Sequence, residues 1–359
     1  MNCLLSIAIP TWNRDKFLDE SLKALISQIT ELKVDIEIVI SDNASTDSTQ
    51  NLIQQLMEQY SFIRYYRNSE NLGLDKNVGL AVERATGKYV WLFGDDDLPA
   101  PQAVAQIYQK LREYKDKNLA LLFINRSLHN SDFTTILKDR KISQDSDIYC
   151  ANGRELFDLV NEELLTASCL VLKKELCFGE FTDKFLTGYY CCTLALSLEA
   201  LSKGSGYFLS NPLIMYREGD KSSWSFMWPT IFAYYTPMIA RYALALGYQK
   251  NALNKITDKM EPFLYDWIMY WKFYSLKEVK ESIRWIDLIS IYKQKIWFWR
   301  RCFWLIIIPD RFGKYFLLWH GRTKRLWQEI NGKPIQYWPN IVQNLWLNRS
   351  NNRKNGLKS

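Results

Sequence analysis

The sequence lacks the signatures of several large protein classes. It has only two histidines, His129 and His320, and its seven cysteines contain no C-x-x-C pair, so neither a zinc site nor a disulfide framework is indicated. Neither G-x-x-x-x-G-K-[ST] nor G-x-G-x-x-G occurs, which argues against a P-loop NTPase and a dinucleotide dehydrogenase. The apolar start has no basic n-region and no cleavage site, so we interpret it as a strand and not as a signal peptide. The amino-terminal domain is therefore expected to be cytosolic.

Charge is distributed unevenly along the chain. The 359 residues carry a net charge of +7, yet residues 291–359 hold 14 Lys or Arg against two acids, which leaves −5 for residues 1–290. Ten of the fourteen tryptophans follow Pro262. Positive charge mixed with large amphipathic rings is typical of surfaces that meet a membrane interface or nucleic acid.

Four apolar runs of strand length lie in the first hundred residues, at 4–9, 34–40, 62–66 and 88–93. Between them, apolar residues recur at helical spacing. Strands that alternate with helices predict βαβ units, and therefore an α/β, Rossmann-like fold with a mostly parallel sheet. In such sheets ligands bind at the carboxyl ends of the strands.

Polar residues follow three of these runs directly. They are Pro10-Thr11-Trp12-Asn13-Arg14, Ser41-Asp42-Asn43 and Gly94-Asp95-Asp96-Asp97. We expect the three clusters to meet at one edge of the sheet. Three adjacent carboxylates repel one another unless a cation or hydrogen-bond donors relieve them, and a divalent cation shared with substrate phosphates is a common solution. The alternative is a loop in which Asp96 or Asp97 only caps a following helix.

Other polar side chains have chemistry suited to a nucleotide. Asp42 can accept hydrogen bonds from a base or a ribose, although an Asx-turn would explain it equally. Trp12 offers a stacking face, and Arg14 is either a phosphate partner or a surface charge. Asn71 and Lys76 add polar groups before a helix. Together these residues predict a nucleoside diphosphate pocket closed by a metal.

The order and spacing of these segments resemble the family 2 nucleotide-sugar glycosyltransferases. The resemblance is carried by SIAIPTWNR (6–14), IEIVISDNASTD (36–47), NLGLDKNVGLAVERATGKYVWLFGDDDLP (71–99) and, more weakly, NPLIMYR (211–217). The GDDD motif and the aromatic tail are similar to members that transfer sugars in bacterial surface polysaccharide assembly, such as O-antigen or capsule.

The resemblance implies a GT-A fold, a donor site assisted by Mn²⁺ or Mg²⁺, and inversion at the anomeric carbon. It assigns metal binding to Asp96 and Asp97. The residues that it assigns to the donor are Pro10, Thr11, Trp12, Arg14, Asp42, Asn71, Lys76 and Asp95. It also implies a carboxylate base for the acceptor hydroxyl.

The base is where the sequence departs from the family pattern. Many relatives carry a Glu-Asp pair shortly after a glycine, whereas this chain reads Gly188-Tyr189-Tyr190-Cys191-Cys192. We take Asp183 as the candidate base. The alternatives are Glu180, Glu199 and Asp220, and Arg217 is expected to bind phosphate or the acceptor.

We expect a transferase domain at 1–227, with a nucleotide-sugar half at 1–125 and an acceptor half at 126–227, followed by a helical region at 228–359. Residues 297–327 contain no apolar stretch of about 20 residues, so we expect a helix lying in an anionic membrane interface and not a spanning one. The alternative is a helical cap packed on the catalytic domain.

This arrangement predicts a peripheral enzyme at the cytoplasmic face of the plasma membrane, acting on a lipid-linked saccharide and not on nucleic acid. Two other functions are consistent with parts of the sequence. One is nucleic-acid binding through the basic tail, which the acids at the sheet edge disfavour because they repel phosphate without a metal. The other is an inactive, glycan-binding domain, since the Glu-Asp pair is missing.

Overall fold

A computed structural model of the chain describes residues 3–218, 227–273 and 283–309. These residues group into two compact units, the first within Met1–Lys221 and Ile231–Met260, the second within Ser222–Thr230 and Glu261–Ser359. The division expected at 227/228 differs from this one, because residues 231–260 group with the first unit.

The first unit is built on a mixed sheet with ten strands among the described residues. The strands are β1 Leu5–Thr11, β2 Ile36–Asp42, β3 Ile63–Arg67, β4 Tyr89–Leu92, β5 Leu98–Pro99, β6 Leu119–His129, β7 Ile136–Lys138, β8 Ile148–Cys150, β9 Leu170–Lys173 and β10 Ser205–Arg217. Their order is β3-β2-β1-β4-β9-β6-β10-β5, with β7 on β6 and β8 on β10. The strands β3, β2, β1, β4, β6 and β10 point the same way, which confirms the predicted α/β fold with a mostly parallel sheet.

The described residues of the two units also form α-helices. They are α1 Asp15–Leu32, α2 Thr49–Gln59, α3 Leu74–Arg84, α4 Ala103–Glu113, α5 Gly153–Val160, α6 Glu180–Asp183, α7 Cys192–Lys203, α8 Trp228–Thr230, α9 Thr236–Tyr242, α10 Lys250–Lys259, α11 Glu261–Phe273, α12 Trp285–Tyr292 and α13 Phe303–Ile307. The apolar spacing that predicted α1 is the face it buries, with Leu18, Leu22 and Leu25 fully enclosed. α1 ends at Lys33, whose left-handed backbone (φ 53°) directs its N–H to the Ile29 carbonyl.

The parallel strands fix where polar side chains meet. Thr11 and Asp42 are register partners at the ends of β1 and β2, and the Phe93 N–H, just past β4, donates to the Ala8 carbonyl. β1 extends two residues beyond its predicted end at residue 9. Pro10 has no N–H, and it pairs with Ser41 at a position where none is needed. The carboxyl ends of β1, β2 and β4 therefore lie side by side.

The described part of the second unit is helical and aromatic. Lys272 of α11 is buried and donates through Nζ to the carbonyls of Leu305 (2.8 Å) and Ile306 (2.6 Å), so it caps the end of α13 with a positive charge. Within the described residues, no helix has the length and apolar character needed to cross a bilayer. The predicted tail beyond residue 309 lies outside the described residues.

Candidate active site

The first and third polar clusters are in direct contact. The Thr11 hydroxyl donates to Asp95 Oδ2 at 2.7 Å. The second cluster joins them through the Asn43 N–H, which donates to the Thr11 carbonyl at 2.9 Å. The structure thus brings the three clusters together at one edge of the sheet.

Arg14 bridges two of the three carboxylates. Its Nε lies 3.2 Å from Asp95 Oδ1, and its Nη2 lies 2.6 Å from Asp96 Oδ2. The guanidinium also stacks over the Phe17 ring at 4.8 Å. Charge-assisted contacts of this length are among the stronger hydrogen bonds in proteins, so Arg14 is part of the site and not an isolated surface charge.

Asp97 is held from two other parts of the chain. Its Oδ2 accepts from the Ser168 hydroxyl at 2.5 Å, and its Oδ1 accepts from the Arg217 N–H at 3.1 Å. The Ser21 hydroxyl of α1 donates to the Asp97 carbonyl at 2.6 Å. The loop that carries the acids is therefore fixed by α1, by the segment before β9 and by the end of β10.

Burial makes these acids reluctant to ionise. It raises the pKa of Asp95 and of Asp97 to about 7, and the neighbouring Asp96 carboxylate acts in the same direction at both. At Asp95 the positive charge of Arg14 opposes the shift. A further cation at this edge would favour the ionised forms.

The carboxylates have the chemistry that a divalent cation requires, because they are hard oxygen donors and Asp96 keeps 28% of its side chain exposed. Among the described residues, however, no group of three or more His, Cys, Asp or Glu is arranged to hold a metal alone. A cation at Asp96 and Asp97 would therefore take further ligands from substrate phosphates.

Arg217 is buried and contacts the acidic loop. Its side chain is only 4% exposed, and Nε donates to the Asp96 carbonyl (2.8 Å) while Nη2 pairs with Glu20 Oε2 (2.5 Å). The guanidinium also lies over the rings of Phe17 and Phe133. The structure thus uses Arg217 to brace the acidic loop, and the expected contact with phosphate or acceptor stays a prediction.

Asp42 is fully buried at the end of β2. Its Oδ2 accepts from the Tyr65 hydroxyl at 2.6 Å, and its Oδ1 accepts from the Ser45 N–H at 2.9 Å, so the turn expected around this residue is present. Arg67 adds an ion pair at 3.6 Å. Trp12 follows Thr11, the register partner of Asp42, and is 38% exposed, which leaves its ring available for stacking.

The remaining residues that were predicted to bind the sugar donor, Asn71 and Lys76, lie around the start of α3. Asn43 joins this start to β2, since its Nδ2 donates to Asn71 Oδ1 at 2.7 Å and its Oδ1 accepts from the Leu72 N–H at 2.9 Å. Asn71 is exposed and Lys76 is half-buried.

The candidate base Asp183 is exposed at the end of α6, and the structure shows no contact between it and the acidic loop. Its alternative Glu199 is buried, accepts from the Thr182 N–H and pairs with Lys203 at 2.7 Å, which is a structural role. Asp220 lies outside the described residues.

Several residues that complete the site were missed by reasoning from sequence. They are Glu20, Ser21, Tyr65, Asp75 and Ser168. Asp75 lies between Asn71 and Lys76, two residues predicted to bind the donor. No local sequence pattern marks Ser21 or Ser168 as functional. Asp75 is buried, and burial raises its pKa while backbone N–H groups act in the opposite direction.

Known proteins share both the sequence pattern and the fold. The model described as Glycosyl transferase family 2 matches residues 6–153. Abequosyltransferase RfbV of Salmonella typhimurium is 32% identical over 232 residues, which cover 61% of this chain and 68% of RfbV. The chain belongs to glycosyl transferase family 2. It is a glycosyltransferase, as its motifs implied.

Two further proteins are similar to this transferase. The GalNAc(5)-diNAcBac-PP-undecaprenol beta-1,3-glucosyltransferase of Campylobacter jejuni is 28% identical over 173 residues, covering 45% of this chain and 52% of that protein. The solved structure of S. aureus TarS 1-349 in complex with UDP-GlcNAc has a TM-score of 0.54 at 14% identity and covers 83% of this chain and 91% of TarS 1-349. This likeness confirms the expected GT-A fold.

Proposed function

We propose that this transferase is an inverting, metal-dependent enzyme that moves a sugar from a nucleoside diphosphate sugar to a saccharide acceptor. The observation that carries the proposal is the convergence of Asp95, Asp96 and Asp97 with Arg14 at the carboxyl edge of the sheet. Buried Asp42 lies at the end of the neighbouring strand, which is the place for a nucleoside in folds of this type.

Each group has a distinct task in this proposal. Asp96 and Asp97 would hold Mn²⁺ or Mg²⁺, which when bound supplies positive charge for the departing diphosphate. Arg14 already lies beside Asp95 and Asp96 and would bind phosphate oxygens. Trp12 and Asp42 would contact the nucleoside. The acceptor hydroxyl would attack the face opposite the diphosphate, which inverts the anomeric carbon.

The proton of that hydroxyl needs a base, and Asp183 is our proposed one. An Asp183→Asn variant should lose about 10²- to 10⁴-fold in kcat with donor affinity unchanged, as is usual when a general base is removed. Glu180→Gln, a change in the same short helix, tests the alternative base. If Asp183→Asn keeps the activity, the base assignment is wrong, and a loss in Glu180→Gln alone would move the role to Glu180.

A thermal-shift screen tests the donor proposal directly. UDP, GDP, CDP and dTDP should each be added with and without Mn²⁺, because a ligand present at 100 times its Kd stabilises a protein by about 2.7 kcal/mol. We expect one nucleotide to raise Tm only with Mn²⁺, and Asp97→Asn to abolish the shift. No nucleotide-dependent shift in the wild type would contradict the proposal.

We propose further that the second unit brings the enzyme to a membrane that presents a lipid-linked saccharide, at the cytoplasmic face. Supporting this, apolar side chains remain exposed in the described part of the unit, among them Ile286 (68%), Ile296 (71%) and Trp304 (59%). Exposed Lys293 and Arg300 lie in the same segment. The name of the Campylobacter relative describes an undecaprenol-linked saccharide.

Flotation with vesicles containing anionic lipid tests the membrane contact in the full chain. Reversing Lys293 and Arg300 to Glu should weaken binding severalfold per residue, since each basic residue near an anionic surface contributes about 1 kcal/mol. The control reverses two exposed lysines of the first unit, Lys23 and Lys33. Equal binding by both variants and the wild type would exclude this surface.

A further inference from the structure

Asp75 is a buried carboxylate whose described partners are all backbone N–H groups. It lies in the first turn of α3. Its Oδ2 accepts from Tyr189 at 2.8 Å and from Tyr190 at 2.7 Å, and its Oδ1 accepts from Cys192 at 3.0 Å. One side chain therefore holds three backbone N–H groups of a distant segment, more than a hundred residues along the chain.

One of these donors, Cys192, is the first residue of α7, and Tyr189 and Tyr190 lie just before the N-cap residue of that helix. The first N–H groups of a helix have no partners within the helix, and a negative charge placed there is stabilised. The N-cap residue of α7 is Cys191, whose side chain makes no capping hydrogen bond. Asp75 thus caps α7 in place of a local side chain.

The segment that Asp75 holds has an unusual backbone. Gly188 and Tyr190 both lie in the left-handed region, with φ of 82° and 55°. A non-glycine residue there is sparsely populated and persists when its surroundings fix it. For Tyr190 that constraint includes its own N–H bond to Asp75. The same segment also packs on α3 through Leu186, since a Cβ at Gly79 would lie 3.2 Å from Leu186 Cδ2.

Topology places this segment beside the catalytic edge. α3 leads from β3 to the parallel strand β4, so it begins at the carboxyl edge of the sheet. α7 leads into β10, which points the same way, so it also begins at that edge. The start of α3 is in turn bonded to Asn43, the residue after Asp42. α3 therefore links the nucleoside side of the edge to the segment Gly188–Cys192.

We propose that Asp75 is a positioning residue for transfer, which fixes Gly188–Cys192 as the wall of the site on the acceptor side. The inference rests on the proposed function. The wall is aromatic, because Tyr189 contacts the rings of Phe185 and Tyr235, each at 5.3 Å between centroids. Rings with a polar tip suit contact with a saccharide, which has both apolar faces and hydroxyls. This segment supplies no acid, so its contribution is shape and not proton transfer.

Asp75→Asn is the informative variant, because it keeps the volume but turns an NH₂ group towards backbone N–H donors. Glu199→Gln is the matched control. Glu199 is a buried carboxylate of α7 that accepts from the Thr182 N–H and does not contact Gly188–Cys192 in the described structure. Both variants should lower Tm, so loss of stability alone cannot distinguish them.

Two readouts separate positioning from stability. The first is amide hydrogen exchange of a peptide covering 186–193, which should quicken at least tenfold in Asp75→Asn and not in Glu199→Gln. The second is the ratio of transfer to donor hydrolysis, measured with the nucleotide sugar that the wild type turns over and a panel of alkyl glycosides. We expect this ratio to fall at least tenfold in Asp75→Asn only, with the Kd for UDP and Mn²⁺ within twofold of wild type.

Unchanged exchange, or a ratio that stays constant while both rates fall, would overturn the inference. A wild-type protein that transfers nothing contradicts the proposed function instead, and the inference then falls with it. The exchange measurement needs neither donor nor acceptor, so the two failures are distinguishable.

Discussion

Two regions of the same sheet edge are built in different ways. On the nucleotide side, the carboxylates of Asp95, Asp96 and Asp97 accept hydrogen bonds from side chains. The chief hydrogen-bond donors are Arg14, Thr11 and Ser168. On the other side, Gly188–Cys192 has no acid and is held through its backbone by Asp75. The first region carries charge chemistry, whereas the second carries shape. The difference teaches that donor binding and acceptor placement have separate determinants, which single substitutions should uncouple.

Replacing Arg217, which braces the acidic loop, should give the largest change in the free energy of unfolding. Arg217→Gln removes the donor to the Asp96 carbonyl and the ion pair with Glu20, which is 47% exposed, and leaving a buried acceptor without its partner typically costs about 1–3 kcal/mol. Urea unfolding measures the free energy. Arg112→Gln, on an exposed face of α4, should change it by less than about 0.5 kcal/mol. Equal effects would mean that Arg217 does not brace the loop.

Asp42 should affect the nucleotide side alone. Asp42→Asn is expected to weaken binding of the nucleotide that stabilises the wild type with Mn²⁺ by about tenfold, the worth of one charge-assisted hydrogen bond. Isothermal titration calorimetry measures it. Asp35→Asn, just before the opposite end of the same strand, should leave the affinity unchanged. If Asp42→Asn changes the transfer-to-hydrolysis ratio and not affinity, the two regions are not separable in the way proposed.

A smaller effect concerns pH. The pKa of Asp97 is raised in the native state, so between pH 4 and 7 this carboxyl binds more protons in the native state than in the unfolded state. The contribution of Asp97 to the free energy of unfolding therefore falls as pH rises through this range. Asp97→Asn removes that dependence. Its Tm relative to wild type should therefore rise by a few degrees from pH 5 to pH 8 without metal. A constant difference would show that Asp97 titrates as an ordinary surface acid.

The sequence predicted the fold because β1, β2 and β4 are largely apolar and helices alternate with them. It also placed the clusters at one edge, since parallel strands bring their carboxyl ends together. It could not predict these contacts of Arg217 and Asp75, because the partners lie more than a hundred residues away along the chain. Likewise, the serine that bonds Asp97 lies at a strand start with no polar pattern of its own.

The most direct test of the account is sugar transfer at increasing Mn²⁺ by the wild type and by a variant with Asp96→Asn and Asp97→Asn. In the proposed function these carboxylates would supply the protein ligands for the cation, whose charge stabilisation would be worth several kcal/mol at the transition state. We expect transfer by the wild type to rise and saturate with Mn²⁺, and the variant to lose at least 100-fold at every concentration. Metal-independent transfer, or full activity in the variant, would contradict the account.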